Sequence, residues 1–355
     1  MRGNFGEIIS ASIEWTKTVL FRPVRFKKWI FLYIIASIAF QMQGGCNFNT
    51  NLKPRNLGIK RPAQTEKAGV KNESFYAENS HDDPIKKKTT YMIAFFATLL
   101  AILIMGLFLV MEWLYSIFSF VFIESVAGND ASIKKPFLRN RPIGNSYFAW
   151  NVIYTLVFLG ILAIVVKLGY DSLSVLGVFA KDASVSFGAM AAALLPNIIT
   201  CVCLFLASWL ISLFVSDYAL VVMYKERLPI LKAMEPSFSL LLSDVGAFIK
   251  YLFVKIGLVI AIAIISSVLF FAILLALFVP GAIIVIIAAL IYKIIPGFIQ
   301  PFYVVVMLLV GVPLIVAVLF LVNAVFVPFP VFLKTFNLKF IARLDEKYNL
   351  FRLTE

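Results

Sequence analysis

The sequence predicts an all-α fold, a polytopic bundle of transmembrane helices, from three observations. Hydrophobic residues occupy 61% of the 355 positions and the mean hydropathy is +0.94, whereas soluble domains hold only about 45–50% apolar residues. Several uninterrupted apolar runs are longer than the roughly 18 residues that mark a membrane-spanning helix. The sequence lacks the short segments of alternating polarity that are typical of a transmembrane barrel.

About six spans are predicted along the chain. Their approximate ranges are 29–43, 91–113, 148–168, 188–215, 247–279 and 302–327. Residues 280–300 are apolar too, but Pro280-Gly281 and Pro296-Gly297 bracket them. Because only about 14 apolar positions lie between these helix breakers, we expect a short re-entrant or interfacial helix there.

The six spans, residues 29–327, form one transmembrane domain with a polar segment on each side and a polar insertion within it. Residues 1–28 precede it as an N-terminal cytoplasmic segment, and residues 328–355 follow it as a basic cytoplasmic tail. The insertion at 44–90 is rich in Asn, Lys, Glu and Pro. We therefore expect it to be extracytoplasmic and to lack a packed core.

A short amphipathic helix is predicted within the N-terminal segment. Ile9, Ile13 and Leu20 are apolar, and polar residues lie between them. This spacing is typical of a helix that lies on the membrane surface. Pro23 is expected to end it.

Three stretches of the chain share one pattern. They are residues 115–140, 210–233 and 321–344, which we name exit stretches 1, 2 and 3. In each of them a polar residue precedes at least four apolar residues and then Lys or Arg; these polar residues are Ser119, Asp217 and Asn323. The pattern indicates a membrane unit used three times, so that the spans form three hairpin-like repeats with amphipathic cytoplasmic segments.

The positive charge of the chain lies beside the apolar spans. The net charge is +13, from 32 Lys and Arg residues against 19 Asp and Glu residues. No nucleic-acid recognition motif accompanies these bases, so the predicted partners are membrane lipids with anionic headgroups and not nucleic acid. A membrane protein is a second candidate partner, whose identity the sequence does not specify. The candidate headgroup-binding residues are Lys134, Lys135, Arg139, Lys225, Arg227 and Lys232.

The distribution of Lys and Arg also predicts an orientation. In the six-span arrangement, the segments on the side of both termini carry more of these residues than the segments on the other side. The positive-inside rule then predicts a multi-pass protein of the cell (inner, or cytoplasmic) membrane with both termini in the cytoplasm. The run Lys86-Lys87-Lys88, just before the second span, is contrary to this orientation.

Four segments resemble a known group of membrane proteins. They are Trp15–Trp29, Phe118–Arg139, Asp217–Ala233 and Pro328–Phe332. In these segments the chain resembles uncharacterised prokaryotic six-span membrane proteins, which are similar to the membrane domain attached to some glycerophosphodiester phosphodiesterases. The resemblance implies the fold. Because the sequence contains no soluble phosphodiesterase domain, the hydrolase activity is not expected to carry over.

Polar and ionisable residues inside the predicted spans are candidates for function, because placing them in lipid costs free energy. The candidates are Glu112, Glu124, Asn197, Asp217, Lys255 and Asn323. Asp217 and Lys255 lie at similar depths on the fourth and fifth spans, so we expect an ion pair with an N–O distance within about 4 Å. The pair has either a structural role or a role in transport or proton relay; the third alternative is that Lys255 extends to the headgroups without pairing. Asn323 is expected to make an interhelical hydrogen bond.

Signatures of an enzyme are absent from the sequence. It contains no nucleotide-binding glycine loop, no helical histidine pair and no nucleophilic serine motif. His81 lies beside Asp82 and Asp83 in the polar insertion, and Cys46 lacks the leucine that usually precedes a lipoprotein cysteine. We therefore expect no catalytic residue, no cofactor and no metal.

Two functions remain open from the sequence. The first is a structural or accessory membrane protein that organises lipids or partner proteins through its basic, aromatic cytoplasmic segments. The second is a transporter or channel-like protein that handles a lipid or another hydrophobic compound. Prolines inside or between spans, such as Pro196, Pro280 and Pro313, favour this second function because they interrupt the backbone hydrogen bonding of helices.

Overall fold

The computed structural model describes residues 5–22, 26–41, 84–178 and 186–351. All secondary structure within these ranges is helical. Most of the predicted polar insertion lies outside the described residues, and so do Cys46 and His81. The chain divides into two compact units, one formed by residues 1–43 and 113–355 and the other by residues 44–112.

Ten α-helices make up the described chain. They are α1 (Phe5–Phe21), α2 (Phe26–Gln41), α3 (Pro84–Ala127), α4 (Lys134–Val175), α5 (Phe187–Phe214), α6 (Leu220–Glu226), α7 (Ile230–Ser243), α8 (Val245–Ile294), α9 (Gln300–Ala324) and α10 (Pro328–Leu344). A π-helical turn, Val215–Ala219, joins α5 to α6, and a 3₁₀ turn, Glu346–Tyr348, follows α10. The predicted all-α fold class is therefore confirmed for the described residues.

Five segments of the described chain are long and apolar enough to cross a membrane. They are Tyr91–Ala127, Lys134–Val175, Phe187–Glu226, Val245–Ile294 and Gln300–Leu344. The first predicted span, residues 29–43, falls mainly on α2, which has 16 residues. At 1.5 Å per residue such a helix is about 24 Å long, which is shorter than the hydrocarbon layer of about 30 Å. The described chain thus has five helices that could cross a membrane, which suggests a multi-pass protein, while six spans in three repeats stay a prediction.

Helix α8 corrects the prediction for residues 280–300. It continues through Pro280 to Ile294 without a break, whereas the sequence favours a separate re-entrant or interfacial helix. A proline removes one hydrogen bond of a helix, but no water competes for the neighbouring bonds in apolar surroundings, so the helix persists. A short turn at residues 295–299 leads into α9, and at this turn Tyr303 donates to the Ala288 carbonyl oxygen over 3.0 Å.

The buried core lies where the predicted cytoplasmic segments meet. Its largest fully buried side chains include Leu20, Leu32, Phe120, Tyr218, Tyr251 and Phe336. By contrast, no residue of α9 is buried, and Tyr251 is the one buried residue of α8. The apolar side chains of these two helices face outward, as side chains that contact lipid do.

All three exit stretches contribute to this core. Exit stretch 2 is buried without interruption from residue 213 to residue 224, and Ile117 of exit stretch 1 and Ile341 of exit stretch 3 are fully buried. Gly144 of α4 packs directly on exit stretch 1. A Cβ atom at Gly144 would lie 2.7 Å from Cγ1 and 3.0 Å from Cα of Ile117, so this close approach of α4 to α3 requires glycine.

Helix α1 forms as predicted, but its buried face is different. The buried residues are Ile8, Ser12, Thr16, Val19 and Leu20, while Ile13 is 43% exposed. The hydroxyl groups of Ser12 and Thr16 donate to carbonyl oxygens one turn earlier, over 2.6 and 2.7 Å, which makes their burial possible. Because α1 packs against α10, this face belongs to the core and not to a membrane surface.

Helices α4 and α5 pack against each other along their spans. The Tyr154 and Ser208 hydroxyl oxygens are 2.6 Å apart. Nearer the other end of the pair, a Cβ atom on Gly169 would stand 3.7 Å from Cγ of Asn197. Polar side chains therefore lie inside this helix pair, where another helix and not lipid surrounds them.

Candidate functional site

Asp217 lies in the π-helical turn Val215–Ala219, and all five residues of this turn are buried. A π-helical turn inserts one extra residue into a helix, and such turns are frequent at functional sites. The side chain of Asp217 is only 7% exposed. Its negative charge therefore needs compensation within the protein.

Two side chains of α8 compensate the charge of Asp217. The Lys255 ammonium group pairs with the carboxylate Oδ2, and the Tyr251 hydroxyl donates to the same oxygen over 2.8 Å. Tyr251 and Lys255 are four residues apart, so both lie on one face of α8. The ion pair predicted from the sequence is confirmed.

Asn337 connects this pair to α10. Its Nδ2 donates to the Tyr251 hydroxyl over 3.1 Å and to the Asp217 carbonyl oxygen over 3.3 Å. Lys334, one turn earlier on α10, donates to the Ser216 carbonyl oxygen over 3.2 Å. We name Asp217, Tyr251, Lys255, Lys334 and Asn337 the Asp217 network. Because it links the π-helical turn to α8 and α10, it can hold three helical elements together.

Aromatic rings enclose the Asp217 network. The Tyr251 ring stacks between Phe336 and Phe340, with centroid distances of 5.6 and 4.3 Å. The Tyr218 hydroxyl is buried nearby and has no hydrogen-bond partner among the described residues. The network thus places charged groups inside an aromatic shell, where electrostatic interactions are stronger than in water.

Glu124, in exit stretch 1, organises a second polar cluster. The Arg139 guanidinium group pairs with its Oε1, and Asn140 Nδ2 donates to its Oε2 over 2.8 Å. Arg227 donates to Asn140 Oδ1 over 2.6 Å, and its guanidinium group lies 4.9 Å from the centroid of the Tyr224 ring. We name Glu124, Arg139, Asn140 and Arg227 the Glu124 network. It joins α3, α4 and the end of α6.

A cavity of about 530 Å³ lies beside the Glu124 network. Its lining residues are Glu124, Ala127, Gly128, Asp130, Ser132, Arg139, Tyr224, Lys225, Arg227 and Leu350. The Arg139 side chain is 59% exposed, against 15% for Glu124. The positive partner therefore faces solvent, and the negative partner lies behind it.

The end of α6, which forms one wall of the cavity, is held by the 3₁₀ turn. The Lys347 ammonium group lies 2.5 Å from Oε1 of Glu226, and the Tyr348 hydroxyl donates to the same oxygen over 2.8 Å. Burial raises the pKa of Tyr348 to about 12, so the phenol keeps its proton at neutral pH and remains a donor. The same turn leads to Leu350, which lines the cavity.

The six predicted headgroup-binding residues fall into two groups. Three of them, Arg139, Lys225 and Arg227, line the cavity. The other three are exposed near the beginnings of α4 and α7; they are Lys134, Lys135 and Lys232. Their contribution to lipid binding stays a prediction.

Three further predicted candidates lie in α3, α5 and α9. Glu112 is half-buried in α3, and Asn197 is half-buried on α5 close to Gly169. Asn323 is exposed and donates to the Leu319 carbonyl oxygen of its own helix over 2.7 Å. The predicted interhelical hydrogen bond of Asn323 is therefore wrong, because its side chain faces away from other helices and bonds within α9.

Sequence reasoning missed Tyr251, Lys334, Asn337 and Asn140. Tyr251 lies four residues before Lys255, and Lys334 lies three residues before Asn337. These spacings place each pair on one helix face, which is a signal that the sequence contains. Asn140 has no such signal, because its partners are 16 and 87 residues away along the chain.

Neither network has the composition of a metal site. The Asp217 network combines one carboxylate with two ammonium groups, which repel a cation. The Glu124 carboxylate is occupied by Arg139 and Asn140. Within the described ranges, no group of three or more His, Cys, Asp or Glu residues could hold a metal ion.

Comparison with known proteins identifies a family. Residues 7–351 match a family described as a family of unknown function (DUF7544). No curated protein and no solved structure matches the chain. The family match does not connect the chain to the membrane domain of glycerophosphodiester phosphodiesterases, so that resemblance stays a prediction.

Proposed function

We propose that this chain, which belongs to the family of unknown function DUF7544, is an accessory membrane protein that organises anionic lipids around its spans. Its long apolar helices anchor it in the cell (cytoplasmic) membrane. The helical core lies at the cytoplasmic headgroup layer, where its basic residues contact phospholipids. Both termini lie in the cytoplasm, as the distribution of Lys and Arg indicates. This arrangement needs an even number of spans, so the segment that contains α2 crosses as a sixth span, which local thinning of the bilayer allows for a short helix.

One observation supports this proposal: the charged residues and the outward-facing apolar surface lie in different parts of the described chain. The core segments contain 17 Lys and Arg against 10 Asp and Glu; these segments are 5–22, 26–41, 113–147, 213–255 and 327–351. By contrast, Lys293 is the one charged residue among positions 256–326 of the α8–α9 region. A positively charged core joined directly to outward-facing apolar helices fits the level of the phospholipid headgroups.

Three exposed lysines of the core are available for headgroups. The side-chain ammonium groups of Lys134, Lys135 and Lys232 make no hydrogen bond or ion pair with any described residue. A basic residue close to an anionic membrane surface contributes about 1 kcal/mol of binding free energy. Together they support a local enrichment of anionic lipids that needs no deep binding site.

Lipid enrichment around the intact protein tests this function. The full chain is reconstituted in nanodiscs with equal amounts of phosphatidylglycerol and phosphatidylcholine, and the lipids that remain bound in native mass spectrometry are counted. We expect an excess of phosphatidylglycerol on the wild type and its loss in the triple variant K134Q/K135Q/K232Q.

The matched control is the triple variant K17Q/K167Q/K293Q, which removes three positive charges elsewhere in the chain. It should retain most of the excess of phosphatidylglycerol, because Lys17 is paired with Glu14 and because Lys167 and Lys293 lie outside the core segments. Equal lipid composition around the two triple variants would contradict the proposal.

A second candidate function, the transport of a lipid or another hydrophobic compound, is favoured by an apolar groove. The groove has a volume of about 420 Å³ and is lined by Phe21, Trp29, Ile30, Phe320, Leu321, Ala324, Val325 and Pro328. It lies where α2 contacts α9, and its lining suits an acyl chain. Proteoliposomes should then move a fluorescent phospholipid between leaflets, and Ala324→Trp, which fills the groove, should slow this movement. A rate equal to that of protein-free vesicles argues against transport.

A further inference from the structure

We propose that the cavity beside the Glu124 network binds one phosphate-type oxyanion between Arg139, Lys225 and Arg227. The oxyanion belongs either to the headgroup of an anionic lipid or to a soluble phosphate. With a lipid headgroup, the inference rests on the proposed function and adds to it one defined site, distinct from the diffuse attraction by Lys134, Lys135 and Lys232.

The charges of the lining residues favour an anion. Arg139, Lys225 and Arg227 bring three positive charges, while Glu124 and Asp130 bring two negative ones. The carboxylate of Glu124 is engaged by Arg139, and that of Asp130 accepts a hydrogen bond from the Ser132 hydroxyl over 3.0 Å. The lining thus has a surplus of one positive charge, which a monoanionic phosphate diester neutralises.

The Lys225 ammonium group is the cation of the site that has no side-chain partner among the described residues and can pair with a ligand. Lys225 is half-buried in the cavity wall, and its ammonium group makes no hydrogen bond or ion pair with any described residue. A charged group that is partly removed from water without a partner costs free energy. A bound oxyanion supplies the missing partner.

The two arginines are held in place before a ligand arrives. Glu124 holds Arg139, while Asn140 and the Tyr224 ring hold Arg227. A guanidinium group has five donors in a planar fork that matches the oxygens of a phosphate. Because each arginine uses some of these donors within the protein, its position is fixed and its remaining donors are available.

Backbone strain marks the rim of the same cavity. In the described ranges two residues other than glycine have a positive φ, Asn129 at 50° and Arg227 at 56°. Arg227 lines the cavity, and Asn129 lies between the lining residues Gly128 and Asp130. A left-handed backbone is unfavourable for a residue with a side chain, and such strain is concentrated at binding and active sites. Glycine would remove this cost at position 227, but it would also remove the cation.

The volume is suitable for such a ligand. Sites for small molecules in proteins have volumes of about 300–1,000 Å³, and this cavity has about 530 Å³. The space can therefore take a phosphate together with the small alcohol that it esterifies. A bare divalent cation is a poor alternative, because the surplus charge of the lining is positive.

The variant Lys225→Gln tests the site with little risk to folding, since Lys225 has no partner to lose. Lys293→Gln is the matched control, because this lysine is exposed, does not line the cavity and lies outside the core segments. The full chain in a phosphate-free maltoside detergent is titrated with dihexanoyl phosphatidylglycerol, and the bound molecules are counted by native mass spectrometry. We expect one saturable molecule per chain. Its dissociation constant should rise about tenfold in Lys225→Gln, as expected for losing one charge-assisted hydrogen bond, and stay unchanged in Lys293→Gln.

Competition with inorganic phosphate identifies the source of the oxyanion. If millimolar phosphate leaves the lipid bound, the site takes the lipid headgroup. If phosphate displaces it with the same dependence on Lys225, the site takes a soluble phosphate. Absence of saturable binding by both probes, or equal binding constants for Lys225→Gln and Lys293→Gln, overturns the inference.

This result is independent of the enrichment experiment in nanodiscs. In one outcome the wild type has no saturable site, while the Lys225→Gln protein keeps its excess of phosphatidylglycerol. This outcome would support the proposed function and contradict the binding site in the cavity. A saturable site on a protein that shows no lipid enrichment would support the binding site in the cavity and contradict the proposed function.

Discussion

The Asp217 network and the Glu124 network use the same ingredients, an acid from an exit stretch with a basic partner and an asparagine, but they differ in closure. Asp217 and Lys255 have side chains that are 7% and 19% exposed. Glu124 is 15% exposed, whereas its partner Arg139 is 59% exposed. One network is sealed by aromatic rings, and the other borders a cavity.

The difference in closure separates structural from ligand-binding roles. In the Asp217 network the Asp217 carboxylate and the Lys255 ammonium group neutralise each other, so removal of one of them leaves an uncompensated charge in the core. In the Glu124 network solvent reaches the arginine, which screens the pair and lowers its contribution to stability. We therefore expect the closed network to control folding and the open one to control binding.

The largest expected effect is at Asp217. Asp217→Asn and Lys255→Met each leave one buried charge without its partner, which should lower the free energy of unfolding by about 3–5 kcal/mol. The double variant should be milder than either single one, because it removes both charges. Thermal unfolding of the four proteins, in detergent and in nanodiscs, measures this. Strictly additive losses would show that the two side chains do not act as a pair.

Tyr251→Phe removes one hydroxyl from the closed network. Asp217 then loses a donor, and Asn337 loses an acceptor. A hydrogen bond to a charged group contributes about 1.5–3 kcal/mol, and we expect a loss of that size in unfolding experiments. Tyr303→Phe on α9 is the control, because its hydroxyl bonds only to a backbone carbonyl oxygen in the α8–α9 hairpin. An equal loss of unfolding free energy in both variants would show that the Tyr251 hydroxyl contributes no more to stability than a hydroxyl bonded to one backbone carbonyl oxygen.

Gly144→Ala tests the packing beneath the open network. Gly144 follows Asn140 by one turn of α4 and touches Ile117, so it sets how closely Asn140 approaches Glu124. The added methyl group should cost about 1–3 kcal/mol, as overpacking in cores does. Gly160→Ala on the same helix is the control, because nothing lies within 4 Å of its added Cβ. Unfolding midpoints of the two variants should differ in this direction, and equal midpoints would show that the contact is dispensable.

Glu124→Gln should have the smallest effect on stability, about 1 kcal/mol or less, because its pair with Arg139 is open to solvent. The amide oxygen can still accept one of the two hydrogen bonds. Loss of one negative charge from the cavity should also lower the dissociation constant for phosphatidylglycerol. Unfolding and lipid titration of the same preparation measure both effects. A loss of stability as large as that of Asp217→Asn would show that openness does not distinguish the two networks.

The sequence predicted two of the five residues of the Asp217 network. Asp217 and Lys255 stand out because each is a charge within a long apolar run, and unpaired charges are costly in lipid. Tyr251 and Asn337 do not stand out, since a tyrosine and an asparagine near the end of a span are common at membrane interfaces. Their roles follow from contacts over 34 and 120 residues of chain, which local spacing does not determine.

The helix class and the apolar segments were determined by the sequence by itself, because hydrophobicity and length are properties of the local chain. The tertiary structure decided which residues face one another. In the tertiary structure α8 continues through Pro280, and the face of α1 that contains Ser12 and Thr16 is buried in the core. Arg227 lies beside Asn140, although 87 residues separate them in the sequence. The physical reason is that burial and hydrogen bonding between distant segments depend on how whole helices pack. A single residue inserted in a π-helical turn or a missing Cβ at Gly144 changes that packing without changing the hydrophobic pattern.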